Sequence, residues 1–272
     1  VSASNTKSKI NRTALVVFSG GQDSTTCLHW ALKTFTAVET VFFDYGQRHA
    51  SEERAAQNIA WKLGVPMRRF KLDFFRELGG NSLTDNTMDI TTEFGTHGLP
   101  NTFVPGRNLL FLTQAASYAY TRGIRDVVTG VCQTDFSGYP DCRHDTMRAL
   151  QRALHIGLGW PERNHGKGIF RIHTPLMFRT KAESVLMAKA WGGLETLAFS
   201  HTCYEGSFPP CGTCPSCLLR AKGFLEAGIP DPLIERALNP DSHVDPTAFH
   251  PSPSGTWVGG EGVASTSTTS VV

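Results

Sequence analysis

The chain has no long apolar run. The longest spans residues 14–18, far short of the about 20 consecutive residues a membrane helix needs. It has no excess of either charge, with 26 Lys+Arg against 24 Asp+Glu in 272 residues and a formal net charge of +2. That balance excludes a polycationic nucleic-acid coat and a charge-driven disordered chain, though not a local basic groove. Residues 1–13 are polar and basic with no apolar stretch of signal length behind them, which argues against secretion and for a cytoplasmic protein. No Gly-Lys-Ser/Thr occurs, so there is no Walker A loop. There is no even set of cysteines either: the seven argue against a disulfide framework.

What is present is an alternation of strand and helix patterns. Residues 14–18 form a continuous apolar run suited to a strand buried on both faces. The turn SGGQDS follows at 19–24, and residues 25–33 carry apolar side chains at helical spacing. Residues 38–43 read as a second strand and 51–63 as a helix capped by Ser51, with Glu52 and Glu53 in its first turn. A third strand is expected at 65–72. From 79 to 105 the pattern dissolves into a long loop rich in Gly, Thr, Asn and Pro, of the kind used as a functional lid or left disordered. Helices resume at 108–120, 143–154, 181–190 and 218–227, and strands at 126–131 and 169–173. Alternation of this kind implies right-handed crossovers and an open α/β fold with a parallel sheet. In residues 241–272, Ser, Thr, Gly and Pro make up 18 of 32, so a disordered tail is expected there.

Two motifs carry chemistry. The glycine turn at 19–24 lies at the carboxyl end of the first strand, where open α/β sheets bind ligands. Paired glycines let backbone amides approach an anion, and the helix start adds partial positive charge. Ser24, Thr25 and Thr26 offer hydroxyls to phosphate oxygens. The rival reading is a plain turn between strand and helix. The second motif is Cys203, Cys211, Cys214 and Cys217, four soft ligands within fifteen residues on a backbone kept turned by glycine and proline. Four thiolates suit a closed tetrahedral zinc site with a structural role, ahead of an iron–sulfur cluster or unrelated thiols. His201 is near enough to replace one ligand, but an outer or exposed position suits it better.

The run FSGGQDSTTCL at 18–28 resembles the phosphate loop of the ATP pyrophosphatase, or PP-loop, superfamily. Further blocks narrow the resemblance: FDYGQRH at 43–49, FVPGRN at 103–108, GYPDCR at 138–143, TPL at 174–176 with Thr180 and Lys181, and the cysteine cluster. Together, over residues 13–229, they resemble the QueC family of queuosine precursor biosynthesis. The resemblance implies an adenine nucleotide alpha hydrolase-like, Rossmann-like domain over 13–190, a small zinc-binding C-terminal lobe over 191–240 and the tail beyond. It implies an ATP-dependent conversion of 7-carboxy-7-deazaguanine and ammonia to the 7-cyano compound, through adenylated acid and amide. Magnesium would accompany ATP.

Site roles follow from the resemblance. The nucleotide would lie on Phe18, Ser19, Gly20, Gly21, Gln22, Asp23, Ser24, Thr25, Thr26, Cys27 and Leu28. Asp23, Ser24 and Lys181 would take part in the chemistry, Asp23 approaching the magnesium and Lys181 supplying the cation the loop lacks. Within that run Cys27 reads as packing in the helix, not as a nucleophile. Asp141 would recognise the amino and ring N–H edge of the base, or else serve as a turn residue or helix cap. Arg107 and Arg143 would steady carboxylate or phosphates, or be solvated or structural. Lys181 has the exposed first turn of a helix as its rival reading. Tyr45 and Gln47 would line the adenine or substrate pocket, or simply form the strand exit. The implied partners are a deazapurine, ammonia and a second copy in a homodimer, with no membrane and no stable nucleic-acid binding. Two other readings stay open: a PP-loop tRNA sulfurtransferase carrying sulfur on Cys132 or Cys142, and a zinc-stabilised nucleotide-binding module without catalysis.

Overall fold

A computed structural model describes residues 9–91, 98–134, 138–161, 168–238 and the backbone of 256–257. Strand β1 (Ile10–Val17) runs into helix α1 (Gln22–Thr34), which passes without a loop into β2 (Phe35–Asp44). Then come α2 (Ser51–Lys62), β3 (Met67–Lys71), a short α3 (Phe74–Leu78), α4 (Arg107–Thr121) and β4 (Asp126–Val128). A 3₁₀ turn at Pro140–Cys142 precedes α5 (His144–Gly157), β5 (Arg171–His173) and α6 (Lys181–Ala190). The C-terminal lobe holds α7 (Pro215–Ala227) and α8 (Pro232–Leu238). The sheet order is β5-β4-β1-β2-β3, all parallel, with a two-residue antiparallel β6 (Thr256–Trp257) on the edge of β3.

Side-chain alternation along β1 divides the core in two. Ala14, Val16 and Phe18 face the layer of α1 and α2, with Leu28, Ala31, Phe42 and Ile59. Leu15 faces the opposite layer of α4 and α5, with Val41, Phe43, Leu112, Ala115 and Val127. Both faces of the central strands are thus covered, as a parallel sheet requires. From β1 the chain goes to β2 on one side and, later, to β4 on the other. The switch point therefore opens at the carboxyl end of β1, above the phosphate loop.

Several boundaries differ from expectation for physical reasons. Strand β4 stops at Val128, not at residue 131: the Thr129 amide still donates to the His173 carbonyl at 3.0 Å, and Gly130 and Val131 then line the cleft beside the phosphate loop. A Cβ on Gly130 would lie 3.0 Å from the Ser24 nitrogen, so only glycine lets the two backbones come this close. Ser51 does not cap α2; Ala50 holds that position, and the Ser51 hydroxyl instead donates to the Gly206 carbonyl at 2.9 Å. The described parts of the 79–105 loop are ordered. Leu83 and Val104 pack with Tyr45 and Phe75, while buried Asn81 accepts from the Leu83 and Thr84 amides in an Asx turn. The tail expected at 241–272 lies outside the described residues except for β6.

The C-terminal lobe is organised around an ion pair hidden among polar residues in the sequence. Arg220, 3% exposed, donates to both carboxylate oxygens of Asp231 at 2.6 and 2.8 Å, and also to Ser200 Oγ, Thr202 Oγ1 and the Leu197 carbonyl. Asp231 in turn accepts from the Leu233 amide at the start of α8. Removing one partner strands the other as an unpaired buried charge. Arg220→Ala should therefore lower stability by about 3–5 kcal/mol, measured by denaturant unfolding; a loss under about 1 kcal/mol would show that the pair behaves as a surface one.

Candidate functional site

The carboxyl ends of β1, β2 and β4 form the floor of a cleft of about 270 Å³. Its walls are the phosphate loop, the first turns of α2 and α4, and the segment 201–204 of the lobe. At the loop, Gly20 has φ +77°, and a Cβ there would lie 2.5 Å from the Ala56 nitrogen of α2. Only glycine meets both the left-handed turn and the contact. Ser24 Oγ lies 3.2 Å from Ser19 Oγ and donates to the Gly21 carbonyl at 3.1 Å, closing the turn. Gln22 Nε2, Asp23 Oδ1 and Thr25 Oγ1 are buried with no hydrogen-bond partner among the described residues. Of these residues Gln22 and Asp23 line the cleft, and beside a helix N-terminus their two atoms leave donor and acceptor capacity for a phosphate ligand and its cation.

Lys181 reaches this loop from α6. Its ammonium is 2.7 Å from Asp23 Oδ2 with the side chain 10% exposed. Thr180 and Glu183 form a reciprocal capping box that sets Lys181 as the first helical residue. A cation there opposes the helix dipole, and Asp23 offsets that cost.

The opposite wall is aromatic and cationic. Phe43 stacks on Phe111 with centroids 4.9 Å apart, and Tyr45 leans on the same ring. Arg107 lies over the Tyr45 ring at 5.5 Å and donates to its hydroxyl at 3.3 Å. Burial works against the Arg107 charge, but the groups around it, Asp141 included, outweigh that and raise its pKa. Burial pushes the Tyr45 hydroxyl up to about 12. Glu52 completes this wall. Desolvation pushes its carboxyl up to about 7 against the pull of Arg107, and it forms no hydrogen bond or ion pair with a described residue.

Of the residues singled out in the sequence, Phe18, Ser19, Gly21, Gln22, Asp23, Ser24, Tyr45 and Arg107 line the cleft. Gly20 contributes its carbonyl, which accepts from the His201 amide at 2.9 Å. Thr25, fully buried, does not reach the cleft, and neither do Thr26, Cys27 and Leu28. The Thr26 hydroxyl bonds back to the Gln22 carbonyl at 2.9 Å, and Cys27 and Leu28 pack in the core behind α1. Asp141 is also removed from the cleft. Its Oδ2 accepts from the Asn108 amide at 2.9 Å and side chain at 3.1 Å, making it a cap for α4 supplied by another element. Arg143 is exposed and turns to the Gly138 carbonyl, and Gln47 Oε1 accepts from the Tyr45 amide within its own turn. Cys132 and Cys142, the sulfur carriers of the alternative reading, both line the cleft. Glu52 was missed as a site residue because first-turn acids are usually explained by the helix dipole alone.

The four lobe cysteines converge, with all sulfur atoms within 4.8 Å of one another and Cys211 and Cys217 at 3.9 Å. A tetrahedron with bonds of about 2.3 Å has sulfurs about 3.8 Å apart, so the cluster fits one metal ion. Cys214 caps α7 and Cys217 sits in its first turn, so the helix start faces the sulfurs. The amides of Cys211, Cys214 and Tyr204 donate to the sulfurs of Cys203, Cys211 and Cys214 at 3.5, 3.3 and 3.5 Å. His201 is not among these ligands; its Nε2 lies 3.0 Å from the Cys203 carbonyl.

A family model described as "Queuosine biosynthesis protein QueC" matches residues 13–228. The 7-cyano-7-deazaguanine synthase of Chromobacterium violaceum is 58% identical over 228 residues, 82% of this chain and 93% of that protein. The protein of the same description from Laribacter hongkongensis is 56% identical over 224 residues, 82% and 94% of the two chains. That from Bacillus subtilis is 47% identical over 215 residues, 78% and 94%. Among solved structures, the U34-tRNA thiolase NcsA from Methanococcus maripaludis aligns with 87% of this chain and 75% of its own at 15% identity and a TM-score of 0.41.

The position of Glu52 yields a stability test. A carboxyl whose pKa is raised on folding favours the fold only while protonated, so its contribution declines as pH rises from about 4 through 7. Glu52→Gln should therefore raise the thermal midpoint at pH 8 by about 2–4 °C and leave it unchanged at pH 4. A variant less stable at pH 8 would mean that the carboxylate is tied into the fold.

Proposed function

The chain belongs to the QueC family of queuosine biosynthesis proteins, and from that premise we infer that it is an ATP-dependent carbon–nitrogen ligase converting 7-carboxy-7-deazaguanine and ammonia to 7-cyano-7-deazaguanine. The observation that carries this reading is the cleft itself. Unpartnered polar groups of the phosphate loop face an aromatic wall bearing Arg107, across a space at the switch point of the sheet.

A carboxylate is a poor electrophile, and adenylation makes it reactive. With the triphosphate on the loop, a substrate carboxylate oxygen attacks the α-phosphorus and pyrophosphate leaves. Amides at the start of α1 and the Lys181 ammonium stabilise the charge developing on the departing group. Arg107 and the rings of Tyr45 and Phe111 hold the planar deazapurine acid. Ammonia displaces AMP to give the amide. A second activation at the amide oxygen, on the same loop, precedes its loss and leaves the nitrile. Asp23 Oδ1 is the donor this chain would offer to a magnesium ion arriving with ATP, and that ion would supply neutralisation of phosphate charge.

Zinc is the metal that the four thiolates fit, with a structural role because the closed ligand set leaves no position for substrate. The reading includes a homodimer, for which Leu225 and Leu238, 82% and 75% exposed on α7 and α8, supply apolar surface. No helix among the described residues is long and apolar enough to cross a membrane, in keeping with a cytoplasmic enzyme. The thiols of Cys132 and Cys142 in the cleft favour a second reading, sulfur transfer to a tRNA base.

Incubation with ATP, magnesium, ammonium and the carboxy-deazaguanine should produce the nitrile, seen by mass spectrometry. No nitrile from folded, metal-loaded protein would sink the first reading, and sulfur incorporated into tRNA would install the second. Asp23→Ala and Ser24→Ala should keep the fold and lower ATP turnover by about 100-fold, read from pyrophosphate release; near-normal turnover would remove the phosphate-loop assignment. Cys214→Ser should lose zinc and solubility together, and a well-folded, metal-free variant would refute the structural role.

A further inference from the structure

The ligase reaction consumes ammonia, which at neutral pH is almost entirely the ammonium ion and has no lone pair to offer. A group must therefore take a proton next to the adenylated acid. Beside the main cleft, and sharing Tyr45, Glu52, Leu83, His201 and Tyr204 with it, lies a second cavity of about 20 Å³. A space of that size holds one molecule of the dimensions of water or ammonia. Glu52 is the acidic residue shared by its lining and that of the cleft.

We propose that Glu52 and this cavity form the ammonium site of the reaction, with Glu52 taking the proton that releases ammonia into the cleft. The proposal rests on the reading of the chain as an ammonia-consuming ligase. Three observations carry it. The carboxylate has no hydrogen bond or ion pair within the described chain, although it is largely withdrawn from solvent. Tyr45 and Tyr204 line the same cavity and give it aromatic walls. Arg107 on the cleft side and Arg48 in the cavity lining both repel an ammonium ion but not neutral ammonia, so the charge distribution favours loss of the proton to Glu52. The other charged or titratable groups lining the cavity are Arg48, His49, His201 and the cluster residue Cys203. The His49 ring is engaged with the Tyr204 carbonyl at 2.9 Å and the His201 ring with the Cys203 carbonyl at 3.0 Å. A carboxyl poised near 7 is matched to this proton transfer.

The step balances without an added reagent. Glu52 takes one proton from ammonium. The nitrogen lone pair bonds to the activated carbonyl carbon, and the carbon–oxygen bond to AMP breaks with its electron pair on AMP. The new C–N centre loses its second excess proton to solvent, leaving the neutral amide.

Glu52→Gln in the full chain tests the proposal through three reactions compared with wild type. Acid-dependent ATP–pyrophosphate exchange needs no nucleophile and should stay within about threefold. Ammonium-dependent amide formation at pH 7.5 should fall by about 100-fold. Hydroxylamine, largely uncharged at that pH, needs no proton acceptor and should give the hydroxamate within about threefold of wild type. Unchanged ammonium-dependent turnover overturns the proposal, and so does an equal loss of all three reactions, which would make Glu52 a structural support. Absence of acid-dependent exchange in the wild type removes the parent reading and the proposal with it.

Discussion

The contact between Gly20 and helix α2 is the constraint on which the rest of the site depends. Because residue 20 turns left-handed against the Ala56 backbone, the chain leaves β1 and starts α1 with its first amides facing the cleft. The same contact sets the rotation of α2. Glu52 precedes Ala56 by one helical turn, so a helix face that touches the loop at 56 must present residue 52 beside it. The Gly20 carbonyl then receives the His201 amide, which draws the C-terminal lobe over the site. Phosphate loop, acid and lobe are thus placed by one close backbone approach.

Charge is distributed sparingly around this contact. Asp23 and Lys181 neutralise each other at the loop, and Asp141 spends its carboxylate on the amides opening α4. Arg107 sits with aromatic rings and hydroxyls about it, and Glu52 lies at a remove from it with neither ion pair nor hydrogen bond. Such an arrangement suits a small anionic substrate, which needs a few cations in defined places, and accords with a chain whose net charge is only +2.

Much of this was legible in the sequence wherever the signal is local. An apolar run, a glycine turn and a helical period in succession identify β1, the phosphate loop and α1, and four cysteines within fifteen residues announce a convergent cluster that could hold a metal. Long-range placement left no such trace. Nothing local distinguishes Glu52 from an ordinary first-turn acid, since its environment is made by residues 107 and 204, far along the chain. Helical geometry could have warned that Thr26, Cys27 and Leu28 were too far into α1 to follow the loop amides to a ligand. Asp141 reads equally well as recognition group or cap from sequence, and only the arrival of Asn108 decides. Boundaries failed where tertiary contact competes with the ladder, as at Gly130 and Val131, which line the cleft beside the phosphate loop.

The bond between the His201 amide and the Gly20 carbonyl has a thermodynamic corollary. His201 stands two residues before Cys203, so the segment that closes over the phosphate loop is tethered to the first sulfur of the cluster. A metal that orders the lobe also orders one wall of the nucleotide site, and the coupling is reciprocal: whatever factor the ion adds to nucleotide affinity, the nucleotide adds to the affinity for the ion. With a metal bound there, metal supply and energy charge would cease to be independent variables for this protein, and scarcity of one would be felt as weaker retention of the other.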